Sequence, residues 1–167
     1  MNFDDFIRAC NTEKRAIRLW KSFRDKQGSL CGRCGGKEQL WLPTKLKYRC
    51  KQCKSETTVR SGSIMEYSKL PFRFWMYGIG VLAFHEKPAP DLQIQKKLRH
   101  PNYRPIWFMM KRLKELKADQ AAWSEMLDQL TTIIKESGME PPKRKRKKPQ
   151  RSNSSKQTLR KSQAGSI

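Results

Sequence analysis

At 167 residues the chain has room for one ordinary domain or two small modules, and its 37 Lys and Arg against 15 Asp and Glu give a formal charge of +22. So cationic a surface repels itself and calls for a polyanion, usually nucleic acid, whose phosphates release condensed counterions when neutralised. A membrane surface would ask for an amphipathic basic helix or a lipidation signal, and neither is evident, so no membrane partner is expected.

Taken in chain order, Phe3, Phe6, Ile7 and Cys10 recur at helical spacing and predict a helix over residues 2–10. Asn11 or Thr12 is the N-cap expected for a second helix, which carries Ile17, Trp20 and Phe23 on one side, reaches about Arg24 and ends at Gln27-Gly28-Ser29. From Leu30 to Ser61 the texture changes to strand-like pieces at Leu40–Leu42, Leu46–Arg49 and Thr57–Arg60, alternating with two cysteine knuckles. Ser61-Gly62-Ser63 reads as a turn, and Pro71 suits the first turn of a helix running from about Phe72 to His85. Gly78 and Gly80 inside that helix cost up to about 1 kcal/mol each relative to Ala, so close packing against a neighbour is expected there. Helices follow at about 91–98 and 104–117, and Asp119 is a candidate cap for a last one bearing Trp123, Met126, Leu127, Leu130 and Ile134. Gly138 and Pro141-Pro142 stop it. Residues 141–167 then hold ten basic residues and no acidic one, with too few apolar side chains to fold.

Cys31-Gly32-Arg33-Cys34 and Cys50-Lys51-Gln52-Cys53 form C-x2-C, fifteen residues, C-x2-C. Two residues between cysteines let one tight turn present both sulfurs, and the intervening hairpin brings the second turn opposite the first. The four thiols Cys31, Cys34, Cys50 and Cys53 are therefore expected to hold one structural Zn2+, a closed tetrahedral site with no open position for chemistry. Gly35 and Gly36 suit such a knuckle, whereas Lys54 after the second pair suits it less. A thioredoxin-like pair would need a βαβ unit that is not present, and an iron–sulfur centre uses the same ligands, so spacing alone does not separate it from zinc. Cys10 lies on the apolar stripe of the first helix and is expected to pack in the core. His85 and His100 are assigned no metal.

The triplet 72–85, 91–98 and 104–117 fits a helix-turn-helix, in which the third helix enters the major groove with its N-terminal side chains on base edges. Those side chains are Asn102, Tyr103, Arg104 and Trp107, with Lys111, Arg112 and Lys114 placed for phosphates. A plain three-helix bundle with a solvated basic face is the competing reading, since the turn lacks the glycine often found there. The run Lys143, Arg144, Lys145, Arg146, Lys147 and Lys148 is read as a phosphate-binding arm in preference to a nuclear-localisation signal.

Several motifs stand out along the chain: Cys-Gly-Arg-Cys-Gly at 31–35, Tyr48 to Cys53, Ser61-Gly62-Ser63-Ile64, Ser68 to Trp75, and Tyr103 to Met110. In this order the chain resembles, over about residues 10–117, the N-terminal part of bacterial insertion-sequence transposases related to the Merlin DNA transposons. In that family a zinc ribbon and a helix-turn-helix precede an RNase H-type DDE catalytic domain. The resemblance implies binding to terminal inverted repeats of a mobile element, with the four cysteines as the matching zinc ligands.

The chain departs from the family past residue 117. Asp119, Glu125, Asp128, Glu136 and Glu140 fall on one helix-like stretch, where they cannot converge on a pair of catalytic metals. The chain is thus expected to be non-catalytic and to take part in transposition by occupying double-stranded inverted-repeat ends. A second copy or a separately encoded catalytic transposase subunit is the protein partner that this reading admits. The alternatives are an RNA-binding or ribosome-associated zinc ribbon, with Trp41 and Tyr48 stacking on unpaired bases, or one subunit of a split transposase. The acidic start Met1-Asn2-Phe3-Asp4-Asp5 lacks the basic region of a secretory leader, and the apolar run Phe74–Phe84 is shorter than the roughly 20 residues that cross a bilayer. A cytoplasmic, nucleoid-associated location is expected.

The expected fold class is α+β and mostly helical: N-terminal helices (1–28), a four-cysteine zinc ribbon (29–63), a three-helix helix-turn-helix DNA-binding domain (64–117), a C-terminal helix (118–140) and a disordered basic tail (141–167).

Overall fold

In the computed structural model, which describes residues 1–28 and 30–138, helix α1 (Phe3–Ala9) starts where the Asn2 side chain accepts the Asp5 amide at 2.8 Å. Thr12 does the same for helix α2 (Glu13–Lys26), accepting the Arg15 amide at 3.3 Å. Each cap satisfies one of the first-turn amides that a helix leaves without an internal partner. Helix α2 runs two residues past the expected Arg24, and Gly28 leaves it in the left-handed conformation at φ +72°.

Three short strands follow, β1 (Gln39–Leu42), β2 (Lys47–Cys50) and β3 (Glu56–Thr58), all antiparallel in the order β1-β2-β3. Trp41 stands opposite Tyr48 and Tyr48 opposite Thr57, so one face of the sheet collects the aromatic rings. The third strand is earlier and shorter than the 57–60 expected. After Thr58 the chain turns at once, the Ser61 amide donating to the Thr58 carbonyl at 3.1 Å while Val59 goes into the core.

The remaining elements among the described residues are helices: α3 (Phe72–Phe84), α4 (Asp91–Leu98), α5 (Tyr103–Ala118) and α6 (Gln120–Glu136). Helix α3 is apolar nearly all round and packs on α1, α2 and α5, as a helix without a polar face must. Its two glycines mark the closest approaches. A Cβ on Gly78 would lie 2.7 Å from Leu113 Cδ1 of α5, and one on Gly80 would lie 3.1 Å from Ile7 Cδ1 of α1. The helix propensity lost at these positions is offset by backbone-close packing on two sides. Pro71 is the N-cap residue and offers no side-chain cap. Glu13, at the start of α2, supplies one instead: its carboxylate accepts the Phe72 amide at 2.7 Å and the Arg73 amide at 3.1 Å. One acid thus sits at the positive ends of two helices.

Helix α6 lies across α2 and α5, and Asp119 caps it by accepting the Ala122 amide at 3.1 Å. The buried side chains of all six helices, with Tyr48, Val59 and Met65, form one contiguous apolar cluster that includes Cys10. Among the described residues no helix is long and apolar enough to cross a membrane. Residues 139–167, including the basic run from Lys143 to Lys148, lie outside the described residues.

Replacing Glu13 with Ala is expected to lower stability by about 1–2 kcal/mol, since two first-turn amides of α3 lose their acceptor and one of them belongs to a buried residue. Urea unfolding followed by far-UV circular dichroism checks this, with Asp4→Ala, an exposed change in α1, as control.

Candidate metal centre and basic helical face

The two C-x2-C segments fold into the same turn twice. In the first, the Gly35 amide donates to the Cys31 carbonyl at 2.8 Å and the Cys31 amide to the Gly36 carbonyl at 3.0 Å. In the second, the Lys54 amide donates to the Cys50 carbonyl at 3.1 Å and the Cys50 amide to the Ser55 carbonyl at 3.0 Å. The turn needs a left-handed residue just after the second cysteine, Gly35 at φ +71° and Lys54 at φ +60°. Glycine adopts this conformation without strain and lysine does not, which gives a physical basis to the poorer fit of Lys54 expected from sequence.

The hairpin β1–β2 carries the second knuckle back over the first. Cys31 Sγ then lies 3.5 Å from Cys53 Sγ, and Cys34 Sγ 3.5 Å from Cys50 Sγ. All four sulfurs fall within 4.8 Å of one another. Ligands about 2.3 Å from a central zinc sit about 3.8 Å apart at the corners of a tetrahedron, so the four thiols fit one such ion. A multi-iron cluster sets its cysteine sulfurs further apart.

Ser55 tunes this group of thiols. Its Oγ lies 3.2 Å from Cys31 Sγ and 3.1 Å from Cys53 Sγ. That hydroxyl, helped by the Cys34 and Arg33 amides, brings the Cys31 thiol down to about 6, and with its own amide it also lowers Cys53. The Gly36 amide pulls the Cys34 thiol down as well. The neighbouring Cys53 and Cys50 sulfurs outweigh it, because each accumulated negative charge opposes the next, and Cys34 rises to about 12. A cation removes that repulsion.

Cys10 takes no part. Its Sγ donates to the Phe6 carbonyl at 3.1 Å, and burial pushes its thiol up to about 12. His85 stacks beside Phe3 at 4.7 Å between ring centroids, and His100 Nδ1 lies 2.8 Å from the Asn102 carbonyl oxygen, so both are engaged away from the cysteines.

The ribbon is tied to α2. The Tyr48 hydroxyl donates to Asp25 Oδ1 at 2.8 Å, Arg24 Nη2 donates to the Ser61 carbonyl at 2.9 Å, and Lys21 Nζ lies 5.4 Å from the centre of the Trp41 ring. Tyr48 is buried and Trp41 half-buried beside it at 4.9 Å. Tyr48 therefore serves the core, while Trp41 keeps part of its surface exposed. On the other side of the sheet Glu56 pairs with Arg49 at 2.7 Å and Lys47 at 3.2 Å, and these cations hold its carboxyl below the usual carboxylate range.

Helix α5 is divided lengthwise. Ile106, Met109, Met110 and Leu113 are buried, while Tyr103, Arg104, Trp107, Phe108 and Lys111 are exposed. Tyr103, Trp107 and Lys111 stand one turn apart in a row, with Lys111 Nζ 5.5 Å from the centre of the Trp107 ring. Arg104, Phe108 and Arg112 make the adjacent row, with the Arg104 guanidinium 5.7 Å from the Phe108 ring. Asn102 is exposed at the N-cap and its side chain makes no capping bond.

Two of the expected phosphate contacts have partners inside the fold. Arg112 Nη1 donates to the Glu66 carbonyl at 2.6 Å, and Lys114 Nζ pairs with Asp91 at 2.9 Å, bridging α5 to α4. In the α4–α5 turn, Arg99 takes the left-handed role that glycine often fills, at φ +52°, and Gln95 Nε2 donates to the His100 carbonyl at 2.9 Å. The sequence reading passed over Ser55, Tyr67 and Phe108. Repetition of the knuckle pattern from Gly35-Gly36 to Lys54-Ser55 is the signal that could have found Ser55.

Purified protein is expected to contain about one zinc per chain and to lose it on Cys50→Ser, as mass spectrometry of the metal content would show. Zinc needs four thiolates, and Cys34 holds its proton up to about pH 12 when the site is metal-free. Apparent affinity should therefore rise about tenfold per pH unit between pH 7 and 8 for each proton that zinc displaces, a slope that competition with a chromophoric chelator measures. No protein-family model, curated protein or solved structure matches the chain, so its function is read from these residues and their geometry.

Proposed function

We propose that the chain is a zinc-stapled protein that binds double-stranded DNA, with α5 as the helix presented to the major groove. The observation that carries this is the outward face of α5: Tyr103, Arg104, Trp107 and Lys111 project on successive turns from a helix whose opposite face is anchored in the core. A guanidinium near a helix N-terminus is suited to bidentate contact with a guanine edge, and a lysine two turns on is suited to a phosphate. Zinc at Cys31, Cys34, Cys50 and Cys53 holds the ribbon and does no chemistry in this reading.

The order of ribbon, helix-turn-helix and basic arm favours the end-recognition part of an insertion-sequence transposase, with terminal inverted repeats of the element as the duplex bound. The reading assigns no strand-transfer chemistry to these residues. A separate catalytic subunit would supply any such step, and a second copy of the chain is the other protein partner that the reading admits. Residues 141–167, with ten cations and no acid, add affinity without sequence information.

A duplex selected from a random pool should bind more tightly than random duplex or structured RNA in an electrophoretic assay. Equal affinity for all three at moderate salt would reduce the interaction to charge alone. Arg104→Ala is expected to cost about 1–3 kcal/mol on the selected site and to relax preference at one base pair; a uniform loss over all duplexes would make it a phosphate contact. Deleting residues 141–167 should flatten the plot of log K against log salt by about 0.9 for each phosphate contact removed, leaving site preference intact.

A further inference from the structure

Residues Tyr67 to Pro71 pass beside the N-terminal half of α5 and leave a groove of about 1030 Å³ between them. Its wall is fixed before any ligand arrives. Arg60 Nη1 donates to the Ser68 carbonyl at 2.5 Å, Trp75 Nε1 donates to Ser68 Oγ at 3.3 Å, and Arg112 reaches across to the Glu66 carbonyl. Lys69, Arg104 and Arg112 line the groove, and among the described residues no carboxylate does. Exposed aromatic residues stand at its edges: Tyr67 is 90% exposed, Phe108 45% and Tyr103 43%, with Phe108 edge-on to Trp107 at 4.9 Å between ring centroids. Tyr67 is also held at φ +59°, a backbone conformation that a bulky side chain seldom takes.

Exposed aromatic residues in a cationic, acid-free groove match one chemistry. Bases inside a duplex stack on one another and offer no π-face, whereas unpaired bases offer theirs to protein rings while their phosphates follow the cations. The chain's own C-terminal stretch is no candidate, because its ten basic residues would be repelled. We propose that this groove binds an unpaired nucleic-acid strand, its bases stacked on Tyr67 and Phe108 and its phosphates met by Lys69, beside a duplex held by α5. The placement beside a duplex rests on the duplex reading above; the groove's preference for unpaired bases does not.

The test uses the full zinc-loaded chain and fluorescence anisotropy at fixed salt. The probes are one selected duplex made blunt, the same duplex with a 3′ or a 5′ overhang of about six nucleotides, and the single strand alone. One of the overhangs should tighten binding by about tenfold or more over the blunt duplex. Tyr67→Ala should remove that gain and leave blunt-duplex affinity unchanged, and Tyr67→Trp should keep it; circular dichroism verifies that both variants fold. The proposal is overturned if neither overhang exceeds the blunt duplex, or if the gain survives Tyr67→Ala. It is equally overturned if a Glu-rich peptide competes for the groove better than an oligonucleotide of equal charge, which would assign the groove to an acidic protein segment. Should the blunt duplex itself fail to bind, the duplex reading falls, and the Tyr67-dependence of single-strand binding still decides the groove.

Discussion

Burial of α3 is the constraint from which the rest of the architecture follows. A thirteen-residue helix with scarcely any polar surface has to be covered on every side, and α1, α2 and α5 cover it. Gly78 and Gly80 let two of those neighbours approach its backbone, and Glu13 of α2 closes the N-terminus that Pro71 leaves open. Once α5 is fixed by the α3 contact, its opposite face has to point to solvent. The exposed row of Tyr103, Trp107 and Lys111 is therefore a consequence of core packing as much as of helix periodicity.

The ribbon is held by different physics. Its three strands are three or four residues long and contribute only Tyr48 and Cys50 to the buried set, too little apolar area to stand on hydrophobic burial alone. Two devices compensate. One is the meeting of four thiols in a cage that could hold a divalent ion, whose affinity would then add to the folding free energy. The other is attachment to α2 through Asp25, Arg24 and Lys21, which ties the ribbon to the helical core. The α2 contacts reach the sheet and the turn after it, away from the sulfurs, so the knuckles rest on the thiol cage alone.

The large positive charge is not one undifferentiated surface. Arg24, Arg60, Arg112 and Lys114 are engaged with backbone carbonyls or an acid inside the fold, and Lys47 and Arg49 share Glu56. Lys69 and Arg104 line a groove that has no acid among its described lining residues. That division separates cations that build the chain from those available to a polyanion, and a count of Lys and Arg cannot make it.

Local patterns therefore carried much of this protein into view. The C-x2-C spacing predicts the four-thiol cage because ligand geometry is set by short turns, and Asp119, like the pair Asn11 or Thr12, is legible as a candidate cap because a cap acts within three residues of itself. Helical periodicity likewise places α1, α2 and α6 and their apolar stripes. What the chain could not declare from its own neighbourhood were contacts closed across long separations. The Glu13 cap on α3 joins residues 59 apart, Arg112 reaches back 46 residues to the Glu66 carbonyl, and Tyr67 lines a groove with residues of α5. Spacing within a segment says which face of an element is apolar. Only the packing of the elements decides which exposed side chains on different segments end up facing one another, because that depends on where each helix stops against its neighbours.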